Sequence, residues 1–149
     1  MCIRDRSTPE EADIIILYLP TIFNGNQAPG SDELIDKFLS SILPDGNLAF
    51  DPSILQKAAN YGEITDLITV VDLNRPAILK ELDQISDGLI GTFGVYDSVL
   101  FEMIFGQFSP QGQLPFEIPS SMDSVRAQKE DLPDDSEAPT FGYGHGLTY

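Results

Sequence analysis

The chain has 149 residues, with 24 Asp and Glu against eight Lys and Arg, a net charge of −16, 42% hydrophobic residues and no Trp. A charge of that sign repels phosphate backbones and anionic lipid headgroups, so neither nucleic acid nor a membrane is expected as a partner, and the apolar fraction suits a globular core. Cys2 is the single cysteine, which rules out an internal disulfide or a thiolate metal cage, and no stretch approaches the ~18 consecutive apolar residues of a membrane span.

Met1 to Arg6 carries charges with no apolar run behind them, unlike a signal peptide, and joins Ser7 to Glu11 without any periodicity. Residues 1–11 are therefore set apart as a disordered or artefactual start, and the cellular compartment stays open. Asp13 to Leu19 is a short continuous apolar run rich in β-branched residues and ended by Pro20, which predicts a strand buried on both faces. Leu67 to Leu73 and Gly88 to Phe93 repeat that pattern. Between the runs lie segments of helical period: Leu34, Ile35, Phe38, Leu39 and Ile42; Ile54, Leu55, Ala58 and Ala59; Ile78, Leu79, Leu82 and Ile85; and Val99, Leu100, Met103 and Ile104. Ser31, Asp51 and Asp97 stand where N-caps are wanted, Pro52 and Pro76 suit a first helical turn, and Gly62 and Gly106 suit helix ends.

Such alternation predicts an α/β fold: a three-layer sandwich with a mostly parallel sheet of four or so strands and helices on both faces. The last strand is expected over Leu114 to Ile118, between Gly112 and Pro119. Residues 12–119 thus form the predicted sandwich domain. From 120 to 149 the chain turns acidic and loses its apolar period, which predicts an irregular C-terminal arm whose apolar end, Phe141, Tyr143, Leu147 and Tyr149, docks back on the domain.

Four segments carry a family resemblance. Asp72-Leu73-Asn74-Arg75-Pro76-Ala77 has the form of a strand end and helix start, and Gly94-Val95-Tyr96-Asp97-Ser98 opens a helix closing in Leu100-Phe101-Glu102-Met103-Ile104-Phe105-Gly106. Gly112 to Pro119 follows the pattern G-x-L-P-F-x-x-P, and Phe141 to Tyr149 is like F-G-H-G-L-S-Y. In this order, and over about residues 12 to 149, the chain resembles the carboxy-terminal end of glycoside hydrolase family 3 enzymes. The resemblance implies a barrel domain followed by an α/β sandwich domain, of which this chain matches the second. The family's sandwich usually begins one strand-helix unit earlier, so the domain is expected to be truncated at its amino end.

Retaining glycoside hydrolysis needs a carboxylate nucleophile and a protonated carboxyl about 5 Å apart. The resemblance implies that the nucleophile, an Asp, belongs to the barrel, and no position of this chain matches it. In some members the acid/base is a Glu on the sandwich loop after the strand matched by Asp13 to Leu19. Here residues 20–31 contain no carboxylate, and Asp32 and Glu33 follow. These two are the acid/base candidates; equally, acidic residues in a first helical turn complement the helix dipole. Phe23, Asn24 and Asn26, with Gln27, supply a ring face and amides for a sugar, while Gly25 and Gly30 also suit an ordinary loop.

His145 is the only histidine and invites a general-base role, but between Gly144 and Gly146 it also reads as a packed tail residue. Arg75, at a strand's carboxyl end, lies where open α/β sheets take ligands, or pairs with the acidic arm. No metal site is expected, since the carboxylates from Glu130 to Glu137 lack calcium-loop spacing, and no cofactor is expected either. The function expected is that of the C-terminal domain of an exo-acting β-glycosidase acting on terminal β-linked glucose or a related sugar, with a saccharide and the parent's barrel domain as partners. Two other readings remain: a free-standing flavodoxin-like binding or signalling module without hydrolase activity, or a truncated piece that folds marginally.

Overall fold

The computed structural model describes residues 8–20, 46–129, 132 and 134–147. Among them, one parallel sheet runs in the order β1-β2-β3, with β1 at Ile14–Leu19, β2 at Asp66–Asp72 and β3 at Gly88–Thr92. Ile16 is in register with Ile68 and Ile68 with Gly88, while Tyr18, Val70 and Ile90 form the next row across the sheet. Parallel neighbours cannot be joined by a tight hairpin, so each connection has to cross over, and the crossovers carry helices. These are α1, Pro52–Gly62, and α2, Lys80–Ile85; α3, Asp97–Ile104, follows β3, and α4, Met122–Ala127, lies in the acidic arm. The result is a helix-flanked parallel sheet, consistent with a three-layer sandwich. No helix among the described residues is long and apolar enough to cross a membrane.

The central strand explains the fold's stability. Leu67, Thr69, Val70 and Val71 are all 0% exposed, as a strand covered on both faces requires. Leu67, Val71 and Leu73 meet Ala58 of α1, Leu82 of α2 and Ile118 in one cluster. Each fully buried leucine in it contributes roughly 1.5–3 kcal/mol of transfer free energy. Coverage fails at the edge strand, where Ile14 is 46% and Tyr18 52% exposed.

Helix α1 starts where its sequence says it should. Pro52 takes the first helical position, and the Asp51 side chain accepts from the Ser53 N–H at 2.8 Å and from its hydroxyl at 2.6 Å. The hydroxyl bond first, and the backbone bond after it, hold the Asp51 carboxyl below its ordinary value. A carboxyl lowered on folding stabilises the fold above its unfolded value, near pH 4, and that contribution fades as pH falls through the lower folded value. Asp51→Asn keeps an acceptor but not the charge. Its thermal midpoint is expected below that of the parent chain at neutral pH, with the gap closing in acid; a gap independent of pH would disprove this account.

Elsewhere the structure corrects the sequence reading. Helix α2 begins at Lys80 rather than near Pro76, and in the turn before it the Ile78 N–H bonds the Leu48 carbonyl at 2.9 Å. Tyr96, not Asp97, is the N-cap of α3, and Asp97 is its first helical residue, where a carboxylate still complements the dipole. Gly106, at φ +71°, ends that helix as expected. The acidic arm is not wholly irregular, since Ser121 caps α4 by accepting from the Ser124 N–H at 3.1 Å; six residues are too few to show a period. Ser31 and the segment from Leu34 to Ile42 lie outside the described residues.

Leu114 to Ile118 is not a further strand of the sheet. It forms an antiparallel ribbon with the tail, in which the Leu114 N–H bonds the His145 carbonyl and the Gly144 N–H bonds the Leu114 carbonyl, both at 2.9 Å. Ile118 and Phe141 close the ribbon's other end as an antiparallel bridge. Pro115 and Pro119 lack the N–H that a sheet ladder needs, which fits this segment to a short pairing instead. The sheet accordingly has three strands among the described residues.

Candidate functional site

Because the three strands are parallel, the segments that follow them emerge on one edge of the sheet, the edge where open α/β folds place ligands. Two described connections lie there, the turn from Leu73 to Leu79 and the loop from Phe93 to Tyr96, and Leu19 ends β1 at the same edge. The segment from Gly46 to Asp51 joins them through the bond between the Ile78 N–H and the Leu48 carbonyl. Phe23, Asn24 and Asn26, and the acid/base candidates Asp32 and Glu33, belong to the connection after Leu19 and lie outside the described residues.

After β2, the Asp72 carboxylate accepts from the Asn74 N–H at 3.1 Å and from its amide Nδ2 at 2.9 Å, a turn that fixes the amide at the edge. Arg75 follows, half-buried. After β3, Phe93 packs edge-on against Phe116, with ring centroids 6.0 Å apart and planes at 74°. Gly94, at φ +78°, then turns the chain into the exposed Val95 and Tyr96. Gly is required here because side chains rarely tolerate that backbone conformation. Beside the Gly46 to Asp51 segment, Gly46 and Asn47 line a groove of about 590 Å³ with Met122, Val125 and Arg126. Its guanidinium is committed to Asp123 at 2.9 Å, and the Met122 sulfur accepts from the Leu48 N–H at 3.2 Å.

Three described carboxylates of this region are tied to structural work, Asp51 to a helix cap, Asp72 to a turn and Asp123 to Arg126, while Asp97 stands exposed in the first turn of α3. His145 is no closer to a base's role. Its ring stacks on Phe141, centroids 4.8 Å apart with planes at 28°, and its carbonyl belongs to the ribbon. One group was missed by the sequence reading. Glu117 is only 6% exposed, and its Oε1 accepts from the Ser136 N–H at 2.5 Å and the Gln128 amide at 3.1 Å. Nothing in the local pattern marks it, since a Glu between Phe116 and Ile118 alternates as an outward residue would. Among the described residues no group of three or more His, Cys, Asp or Glu is arranged to hold a metal.

No family model matches the chain. It is, however, 37% identical over 145 residues to β-glucosidase C of Emericella nidulans, covering 96% of this chain and 22% of that protein. The periplasmic β-glucosidase/β-xylosidase of Dickeya chrysanthemi is 34% identical over 146 residues, 96% of this chain and 21% of that one. In fold, the chain superposes on the crystal structure of a Listeria innocua β-glucosidase with a TM-score of 0.64 and 17% identity, over 94% of this chain and 21% of that chain. The chain therefore spans about a fifth of the length of the relatives it matches. Near-complete coverage of this sequence, together with the shared fold and the ordered motifs from Asp72 to Tyr149, places it in glycoside hydrolase family 3, as a partial α/β domain of β-glucosidase type.

Proposed function

We propose that the chain is the carboxy-terminal α/β domain of an exo-acting, retaining β-glycosidase that removes terminal β-linked glucose or a related sugar. Residues 12–119 form the sandwich, and residues 120–149 form the arm. Its contribution is geometric: it walls one side of the pocket beside a barrel domain that supplies the nucleophile. Within that wall, Phe23, Asn24 and Asn26 face the saccharide, and Asp32 or Glu33 serves as acid/base. The observation that carries this reading is a match along 96% of the chain to β-glucosidases of which it is only a fifth. Chemistry supports it too, because Asp51 and Asp72 are already engaged in a helix cap and a turn.

Two measurements test it. The isolated chain is expected to leave aryl β-glucosides intact, whereas a hybrid in which it replaces the matching segment of the Emericella nidulans enzyme is expected to cleave them. In that hybrid, removing the true acid/base by Asp32→Asn or Glu33→Gln should lower kcat by about 10²–10⁴. Hydrolysis by the isolated, contaminant-free chain, or a folded hybrid without activity, would overturn the proposal.

A further inference from the structure

Tyr96 is 83% exposed, the greatest exposure of any large hydrophobic side chain among the described residues. Its backbone is nevertheless fixed. The Tyr96 carbonyl accepts from the Val99 N–H at 3.0 Å and the Leu100 N–H at 3.1 Å as α3 begins, and Gly94 sets the turn before it. An N-cap position is normally filled by a side chain that accepts a hydrogen bond from the helix, and Tyr96 makes none. Its ring therefore serves neither the core nor the cap. Phe93, 48% exposed on the same loop, is braced by its edge-on contact with Phe116.

Rings held on a rigid backbone at a ligand-binding edge lose little freedom when they engage a partner, since a tyrosine has only two side-chain torsions to fix. Their negative π-faces attract the polarised C–H groups that line one face of a pyranose. Asp97, exposed beside Tyr96, offers a carboxylate to sugar hydroxyls. A neutral sugar is indifferent to the chain's charge of −16.

We infer that Tyr96, with Phe93 beside it, is a stacking platform for a pyranose ring, a saccharide contact separate from the connection after β1. The inference rests on reading the chain as a β-glycosidase domain. Its test is saturation-transfer NMR on the 149-residue chain with cellobiose at millimolar concentration. Transfer to the sugar's C–H protons is expected from the parent chain and from Tyr96→Phe, and a loss of about tenfold in affinity from Tyr96→Ala. Tyr96 is exposed, so both variants should keep the parent's thermal midpoint. No transfer from the folded parent chain, or equal transfer from Tyr96→Ala, overturns the platform. The hybrid enzyme separates the two ideas: an active hybrid with no Tyr96-dependent binding discards the platform alone, while Tyr96-dependent binding with an inactive hybrid discards the glycosidase reading and leaves a sugar-binding surface.

Discussion

Glu117→Ala is expected to destabilise the chain by about 1.5–3 kcal/mol and to release the arm between Gln128 and Ser136 before the sheet unfolds. The cause is an exchange of roles in a buried place. Glu117 is 6% exposed, and its Oε1 receives the Ser136 N–H at 2.5 Å and the Gln128 amide at 3.1 Å. The same amide also reaches the Ser136 hydroxyl at 2.6 Å, and the Lys129 N–H is spent on Asp135 at 2.9 Å, so the loop is closed on itself and anchored through one carboxylate. Removing that carboxylate leaves the Ser136 N–H without its acceptor, while the Gln128 amide keeps only the Ser136 hydroxyl. Glu117→Gln retains an acceptor oxygen and should cost clearly less. Denaturant titration measures the totals, and trypsin measures the release, because Arg126 precedes the loop and Lys129 lies within it. Equal losses for Ala and Gln, or no change in cleavage at those sites, would contradict the latch.

Gly146→Ala is expected to cost about 1–3 kcal/mol through overpacking against a backbone atom. A Cβ at this position would run into the Gly112 carbonyl oxygen, and Gln113 backbone stands close behind it. A side chain in the way can rotate aside; a carbonyl can move only if its strand moves. The ribbon would then part, and with it the bonds that Leu114 makes to His145 and Gly144. Gly142→Ala is the control, since nothing lies within 4 Å of a Cβ there. Amide exchange at Leu114 should accelerate in the first variant and not in the second. Equal behaviour of the two would show that the crossing of Gly112 and Gly146 is not what excludes a side chain.

These two sites show why legibility varied along the chain. The three sheet strands were readable because Ile14–Leu19, Asp66–Asp72 and Gly88–Thr92 each hold a short apolar run rich in β-branched or aliphatic residues, although only the central one is covered on both faces. The start of α1 was readable because Asp51 and Pro52 act within one turn. Where a group's partner is distant in sequence, local pattern gave the wrong answer or none. Leu114 to Ile118 looks like a sheet strand until the tail pairs with it, and Ile78 looks helical although it lies in a turn tied to Leu48. Tyr96 displaced Asp97 as the cap because the backbone turn at Gly94, not the side-chain type, decides where α3 begins.

The candidate site divides in the same way. Its family was legible in motifs from Asp72 to Tyr149, and the placement of the loops after β2 and β3 at one edge followed from strands that must run parallel. By itself the sequence determined the α/β class, the strands, the first crossover helix and the kinship with family 3 glycosidases, since each rests on local composition, periodicity or motif. Only the tertiary structure decided that Glu117 turns inward to hold the arm, that Gly146 lies against Gly112, and that Tyr96 stands clear of the core. Burial, hydrogen-bond partnership and exposure are properties of groups brought together from far along the chain, and no short window of residues encodes them.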